Sequence, residues 1–147
     1  MGKTMDDDGF MREAIRDAMA SGHRFGAVVV RDGRVIGRAG RRPKNDARYH
    51  AETEAILQAG RDLEGCTLYS TCEPCIMCFY MAWATGIKRI FYGARIRDSI
   101  GQGIPEIDIS AEELNGRSGG GIELHGGFLI DECLELLEGK KRMGGKF

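Results

Sequence analysis

Apolar residues recur along the first forty positions at two spacings, one typical of a helix and one typical of strands. Phe10, Ala14 and Ala18 lie at near-helical spacing, and acidic residues precede them where the helix dipole favours negative charge. The stretch FGAVVVRDGRVIGRAG then has two runs rich in β-branched residues around Asp32-Gly33, a dipeptide preferred in two-residue hairpin turns. This part of the chain is therefore predicted to form a helix followed by a β-hairpin.

Helices and strands alternate in the pattern of the remaining chain. HAETEAILQA, from His50 to Ala59, predicts a helix closed by Gly60, and TLYST predicts a strand. A second helix should follow Pro74 and stop near Gly86, followed by a strand at KRIFYGA and a loop at DSIGQGIPEID. We interpret NGRSGGG as a surface turn and expect a short last strand and a C-terminal helix with lysines in its final turn. The predicted order is α-β-β-α-β-α-β-β-α, with a helical turn as an option before the last strand.

This order predicts an α/β fold, a three-layer α/β/α sandwich with a five-stranded mixed sheet. The chain has 147 residues, 42% of them hydrophobic, which is enough for one core, so we expect a single domain over residues 1–147. No stretch reaches the roughly 18 apolar residues of a membrane span, and MGKTMDDDGF lacks the apolar run of a signal peptide. We therefore expect a cytoplasmic protein with no membrane partner.

Charge is balanced, with 21 basic and 22 acidic residues and a net charge of −1. This excludes the overall basic footprint that is typical of nucleic-acid-binding domains. A local basic run is either a binding surface or a solvated loop, and charge pattern alone leaves both open. The run comprises Arg38, Arg41, Arg42, Lys44 and Arg48.

Three of the five cysteines fall within STCEPCIMC. In a reducing compartment, an odd number of clustered cysteines favours metal binding or catalysis over a disulfide framework. Because proline is favoured at the first helical position, Pro74 predicts that Cys75 and Cys78 lie in the first turns of a helix, three residues apart on one side. Cys72 lies on the incoming strand or turn, where we favour a small buried hydrophobe over a wall or outer-shell role.

Two thiolates do not complete a zinc site, so a third ligand is needed. His23 precedes the first strand and His125 lies in the last strand. His50 opens a helix just upstream of the strand that leads to the cysteines, so we choose His50 as the third zinc ligand. Glu52 reaches the same centre only if that centre lies in front of the helix end, and the small Ala51 leaves room between the two side chains. Both helix dipoles would then point at the metal.

Other metal or thiol sites share parts of this pattern. An iron–sulfur site would need a fourth cysteine three residues on, where the chain has Ala82. A redox dithiol would not need the upstream His-x-Glu, and a structural zinc would normally have a fourth protein ligand instead of an uncoordinated glutamate. A catalytic zinc site fits the pattern best.

HAE at His50 to Glu52 together with PCIMC at Pro74 to Cys78 resembles the signature of the zinc-dependent nucleobase deaminases. The resemblance extends through FGAVVVRDG, LYSTCEPCIMC, IFYGA and LIDEC. It points to the branch of the cytidine/deoxycytidylate deaminase superfamily that holds guanine deaminases, tRNA adenosine deaminases and fungal cytosine deaminase. It implies a cytidine deaminase-like fold with one Zn²⁺ per chain, held by His50, Cys75 and Cys78, and Glu52 as the catalytic proton shuttle.

The resemblance also implies substrate-contacting residues. Phe25 and Ala51 fall in matched segments, and Glu73 would line the pocket, although an exposed turn carboxylate is an equal alternative. The loop RDSIGQGIPEID is similar to the guanine deaminase loop that carries an acidic residue near the base, here Asp108 or Glu106, and we favour Asp108.

One departure concerns the asparagine that hydrogen-bonds the base in most relatives. Ala39 stands at the usual spacing from the zinc histidine, so either Asn45 or Arg41 is expected to make that contact. The Gly-Ala-rich loop of tRNA-editing members is absent. The resemblance thus favours a small nucleobase, nucleoside or related amino-heterocycle, with guanine first and a role in purine metabolism.

The alternatives are a tRNA-specific adenosine deaminase, a cytosine or cytidine deaminase, and a non-catalytic zinc-stabilised binding protein; tRNA is the less favoured partner. We also expect a homodimer, because the stripe of Phe79, Tyr80, Met81 and Trp83 carries more large apolar groups than one face of a small domain usually hides. That stripe could equally be core.

Overall fold

The computed structural model describes residues 5–39 and 46–139. It has six helices and five strands within those residues. In chain order they are α1 (Asp7–Ser21), β1 (Ala27–Arg31), β2 (Arg34–Arg38), α2 (Ala51–Ala59), β3 (Thr67–Cys72), α3 (Ile76–Thr85), β4 (Arg89–Ala94), α4 (Ile96–Gly101), α5 (Ala111–Arg117), β5 (Glu123–His125) and α6 (Ile130–Leu137).

The five strands form one mixed sheet in the order β2-β1-β3-β4-β5. β1 pairs antiparallel with β2 and β3, while β3, β4 and β5 are parallel. The hairpin turn places Asp32 and Gly33 at φ 49° and 76°, the backbone region that its two central residues require. The predicted mixed sheet and its opening hairpin are therefore confirmed.

Helices cover both faces of the sheet. Side chains of α1 and α6, including Met11 and Leu137, pack on one face against Val28 and Tyr69. Residues of α2, α3 and α5 pack on the other face against strand residues such as Leu68. The predicted three-layer α/β/α sandwich is confirmed.

Two helices occupy sequence for which the pattern predicted irregular structure. α4 begins at Ile96 and runs into the segment interpreted as loop, and Asp98 caps it by accepting the backbone N–H of Arg95 at 2.8 Å. α5 begins after Ser110, whose side chain accepts from the Glu113 amide at 3.1 Å, and it includes the first residues of NGRSGGG. α6 ends at Leu137, and the lysines expected in its final turn lie outside the described residues.

Close packing of α2 on β2 sets the position of the helix that carries His50. A Cβ built on Gly37 would lie 2.1 Å from the backbone oxygen of Ala55, so only glycine allows this approach. None of the described helices has both the length and the apolar composition that crossing a bilayer requires.

Candidate metal centre and active site

His50 is the N-cap residue of α2, with extended backbone angles of φ −94° and ψ 162°. The Thr53 hydroxyl accepts the His50 backbone N–H at 2.9 Å and donates to the His50 carbonyl oxygen at 3.0 Å. Thr53 is buried, so these two bonds are shielded from water and fix the backbone from which the imidazole projects. The prediction that His50 opens a helix is confirmed.

The two thiols lie at the start of α3. Cys75 is its N-cap and Cys78 lies one turn into the helix, so both sulfur atoms are at its N-terminal end. The helix begins at Ile76 rather than at Pro74, because Cys75 still has an extended ψ of 175°. The expected position of proline at the first helical residue is thus wrong by two residues, although the thiols lie in the first turn as predicted.

His50, Cys75 and Cys78 form a three-residue group whose ligand atoms lie within 4.8 Å of one another. Each sulfur lies 3.4 Å from Nδ1 of His50. Zinc–nitrogen and zinc–sulfur bonds of about 2.1 and 2.3 Å at tetrahedral angles would separate nitrogen from sulfur by about 3.6 Å. The donor set and its spacing therefore fit a zinc ion with three protein ligands and one position left for water or substrate.

The thiols already interact strongly with one another. A hydrogen bond from Cys78 lowers the pKa of Cys75 to about 4, and His50 lowers it further. The same bond and burial raise the pKa of Cys78 well above the ordinary thiol value. The hydrogen bond to Cys75 also raises the pKa of His50. One negative charge is thus shared within a compact group of donors that a divalent cation would stabilise.

Glu52 lies in the first turn of α2 and is buried, with only 5% of its surface exposed. Its charge raises the pKa of both His50 and Cys78. It is not a member of the three-residue ligand group. Glu52 is thus a buried acid outside the ligand set, and its expected role in proton transfer stays a prediction.

Glu73 is buried, so the alternative of an exposed turn carboxylate is wrong. Its two carboxylate oxygens accept the backbone N–H groups of Ile96, at 2.9 Å, and Ala111, at 2.6 Å. These are the first residues of α4 and α5. The side chain therefore joins the starts of α4, which the sequence pattern did not predict, and α5, which lies where a helical turn was an option.

The loop carries two acids with different surroundings, Glu106 and Asp108. Glu106 interacts electrostatically with both Cys75 and His50, and burial raises its pKa. Asp108 has an exposed side chain whose partner is Arg97, 3.7 Å away. The expected substrate contact of Asp108 stays a prediction, and the alternative acid Glu106 is the one whose charge acts on two of the ligands.

The other candidate residues have structural surroundings of their own. Cys72 is buried in the core on the α1 and α6 face and is outside the ligand group, as expected. Ala51 is fully buried, and Phe25 packs against both core clusters. The two residues proposed to replace the usual asparagine, Arg41 and Asn45, lie outside the described residues.

Sequence reasoning missed the supporting residues of the centre. The pattern Ser110-x-x-Glu113 is a helix-start signature and could have located α5. Thr53, at the third helical position after His50, is likewise a position from which a side chain can reach back to the N-cap. The double contact of Glu73 joins residues 23 and 38 positions away, and no local signal indicates it.

The comparisons with known proteins agree with this geometry. Residues 4–94 match the model of the "Cytidine and deoxycytidylate deaminase zinc-binding region". The chain is 35% identical to a probable cytosine deaminase of Schizosaccharomyces pombe, over 87% of this chain and 88% of the relative. It is 35% identical to the guanine deaminase of Bacillus subtilis (74% and 81% covered) and 32% identical to a tRNA-specific adenosine deaminase of Streptococcus pyogenes (92% and 89% covered).

A similar fold is found in a mutant protein crystallised with 8-azaguanine, at a TM-score of 0.80 and 25% identity, with 94% of this chain and 85% of that chain covered. The match of the family model spans more than half of the chain and includes the histidine, both cysteines and the glutamate between them. The chain belongs to the zinc-binding cytidine and deoxycytidylate deaminase family.

Proposed function

We propose that this deaminase hydrolyses the amino group of a small purine or related amino-heterocycle, with guanine as the favoured substrate. The observation that carries the proposal is the pair of acids beside one set of zinc ligands: Glu52 is buried next to His50, and Glu106 interacts with His50 and Cys75. A structural zinc site would need neither acid. The pair provides one group for proton transfer and another for substrate recognition.

Glu52 is the proton carrier in this proposal. Zinc, when bound, lowers the pKa of a coordinated water to about 7 and so supplies a nucleophile at neutral pH. Glu52 would carry one proton of that water to the ring nitrogen and the second proton to the amino group, which leaves as ammonia. Its burial beside the ligands keeps the carboxylate within reach of each of these positions.

Glu106 is the base-recognition residue. The Ser99 hydroxyl donates to one of its carboxylate oxygens at 2.8 Å, which holds the side chain in place. A carboxylate so held can accept hydrogen bonds from the ring N–H and amino groups of guanine. The similarity to a guanine deaminase and to a structure that holds 8-azaguanine supports this choice.

The test is ammonia release from guanine, guanosine, adenine, adenosine, cytosine, cytidine, amino-triazines and a tRNA anticodon stem-loop. Guanine should be turned over fastest. Glu106→Gln should lower kcat/KM for guanine by about tenfold or more, because a donor replaces part of the acceptor, while the exposed control Asp108→Asn should have little effect. Equal losses in both variants would refute the role of Glu106.

A tRNA substrate is the second candidate, because the chain is 32% identical to a tRNA-specific adenosine deaminase over 92% of its length. Binding to tRNA requires several phosphate contacts, and the net charge of −1 gives no general support for them. Turnover of the stem-loop alone would replace the small-molecule proposal. Preferential turnover of cytosine would instead favour the activity named for the fission yeast relative.

We also propose that the chain forms a homodimer through α3. This helix has no charged residue, and its outer face exposes Ile76, Tyr80 and Trp83, with Tyr80 61% exposed. An uncharged apolar strip of this kind suits a self-complementary contact between two copies. Light scattering should give twice 16.2 kDa, and Tyr80→Glu should shift the particle to one chain. A monomer at micromolar concentration would refute the dimer.

A cytoplasmic location is proposed on the chemistry of the cysteines. All five are free thiols in the structure, and two of them belong to the metal centre. A reducing compartment preserves such thiols for zinc. Fractionation of cells that produce the tagged chain would test the location.

A further inference from the structure

Glu73 makes contacts that neither zinc binding nor proton transfer requires. Its backbone N–H donates to the Ala94 carbonyl at 2.8 Å, which extends the pairing of β3 with β4 by one residue. Its side chain then spans from the end of β3 to the first amide of α4 and the first amide of α5. Residues 96 and 111, the two ends of one segment, are thus held by a single carboxylate.

The segment 96–111 carries the side chain that faces the metal ligands. Ser99, fully buried in α4, donates its hydroxyl to Glu106 at 2.8 Å. Glu106 is therefore linked to α4, and α4 is linked to Glu73. Because Glu73 lies two residues before Cys75, the same short stretch that leads to a metal ligand also holds the segment that carries Glu106.

Only a carboxylate can satisfy both ends of the segment. Both contacts are made by N–H donors, so each oxygen of Glu73 must accept. A glutamine of the same shape has one acceptor oxygen, and its NH₂ group would face the other N–H. One buried amide would then lose its partner, and its helix would begin without that contact.

We propose that Glu73 is a positioning residue that clamps the segment 96–111 and thereby places Glu106 against the substrate. The clamp itself follows from the contacts, whereas its effect on turnover rests on the proposed function of Glu106. Glu73 acts on catalysis through Glu106, and it neither binds the metal nor carries a proton in the reaction.

The experiment compares Glu73→Gln with the matched control Glu112→Gln, an exposed glutamate in the first turn of α5. Both variants should keep about one zinc per chain. Hydrogen exchange of peptides covering residues 96–111 should rise about 10- to 100-fold in Glu73→Gln, with no change in α1 and no change in the control. Unchanged exchange in this segment, or loss of zinc from Glu73→Gln alone, would overturn the clamp.

A double-mutant cycle with Glu106→Gln tests the transmission to the site. Glu73→Gln should lower kcat/KM by about tenfold in the unmodified chain but much less in a chain that already carries Glu106→Gln. Independent, multiplicative losses would show that Glu73 supports folding only and would overturn the positioning role. If the unmodified chain turned over no substrate, the proposed function would fail while the exchange result still decided the clamp.

A measurement on the unmodified chain covers the case in which Glu73→Gln does not fold. Amides at the first position of a helix normally lack an intrahelical partner and exchange quickly. The amides of Ile96 and Ala111 should instead be among the slowest in residues 96–111, as resolved by NMR. Fast exchange at both amides would contradict the clamp without any substitution.

Discussion

Replacing Thr53 by valine tests whether the backbone of His50 is held by the Thr53 hydroxyl. Valine has nearly the same shape and a similar helix propensity, so the main change is the loss of one hydroxyl. The His50 carbonyl would keep a partner, because it also accepts the Glu54 amide at 3.0 Å. The His50 N–H would lose the Thr53 oxygen, which now lies 2.9 Å away.

The expected cost follows from that asymmetry. A buried donor left unpaired costs about 1–3 kcal/mol, whereas the carbonyl loses only one of two partners. For a chain of this size, each kcal/mol lowers Tm by about 2–4 °C, so Thr53→Val should lower Tm by about 2–12 °C. Thr53→Ser keeps the hydroxyl and should recover most of the loss.

Thermal unfolding should be followed on zinc-saturated and on chelator-treated protein, together with competition for zinc against a chromogenic chelator. If the hydroxyl orients His50, Thr53→Val should also bind zinc about 10-fold or more weakly, as expected for the loss of a residue that orients a ligand. Equal stability of the valine variant and the unmodified chain would refute the reasoning. So would a serine variant as unstable as the valine variant.

Three further predictions concern the metal, the proton carrier and the packing of α2. The purified chain should hold about one zinc ion, which Cys75→Ala should lose and Cys72→Ala should retain. Elemental analysis measures the metal content, and iron in place of zinc would refute the site. Glu52→Gln should abolish ammonia release while zinc content stays unchanged, and residual turnover near that of the unmodified chain would exclude it as the proton carrier. Gly37→Ala should lower the free energy of unfolding in urea by about 1–3 kcal/mol, because the new methyl group would clash with the backbone of α2. Gly116→Ala, with open space around it, should be neutral or slightly stabilising, and equal effects of the two substitutions would contradict the packing.

Local signals in the sequence were sufficient to predict the sheet and the metal ligands. The Asp32-Gly33 turn, the helix that starts after His50 and the cysteine pair three residues apart depend on neighbours within a few positions, where backbone preferences act directly. The start of α3 was predicted two residues too early, because Cys75, the residue after Pro74, still has an extended backbone and is the N-cap of the helix.

Long-range contacts account for most of what was missed. Glu73 and its partners Ile96 and Ala111 are far apart in sequence, and their pairing depends on how β3 and β4 lie side by side. Likewise, Glu106 and Asp108 have the same charge and lie two positions apart. Which of them faces the metal depends on the path of the loop, and charge pattern carries no information about that path.

The hydrogen-bond partners of the buried and half-buried glutamates separate their roles. Glu73 has both oxygens occupied by backbone amides at the starts of two helices, which suits a structural clamp. Glu106 gives one oxygen to Ser99, and its second oxygen accepts no hydrogen bond from the described residues, which suits contact with a bound base. Glu52 is buried and its charge acts on the ligands His50 and Cys78, which suits the proton transfer proposed for it. Three identical side chains around one centre can thus clamp, recognise and transfer protons, because the groups that surround each carboxylate are different.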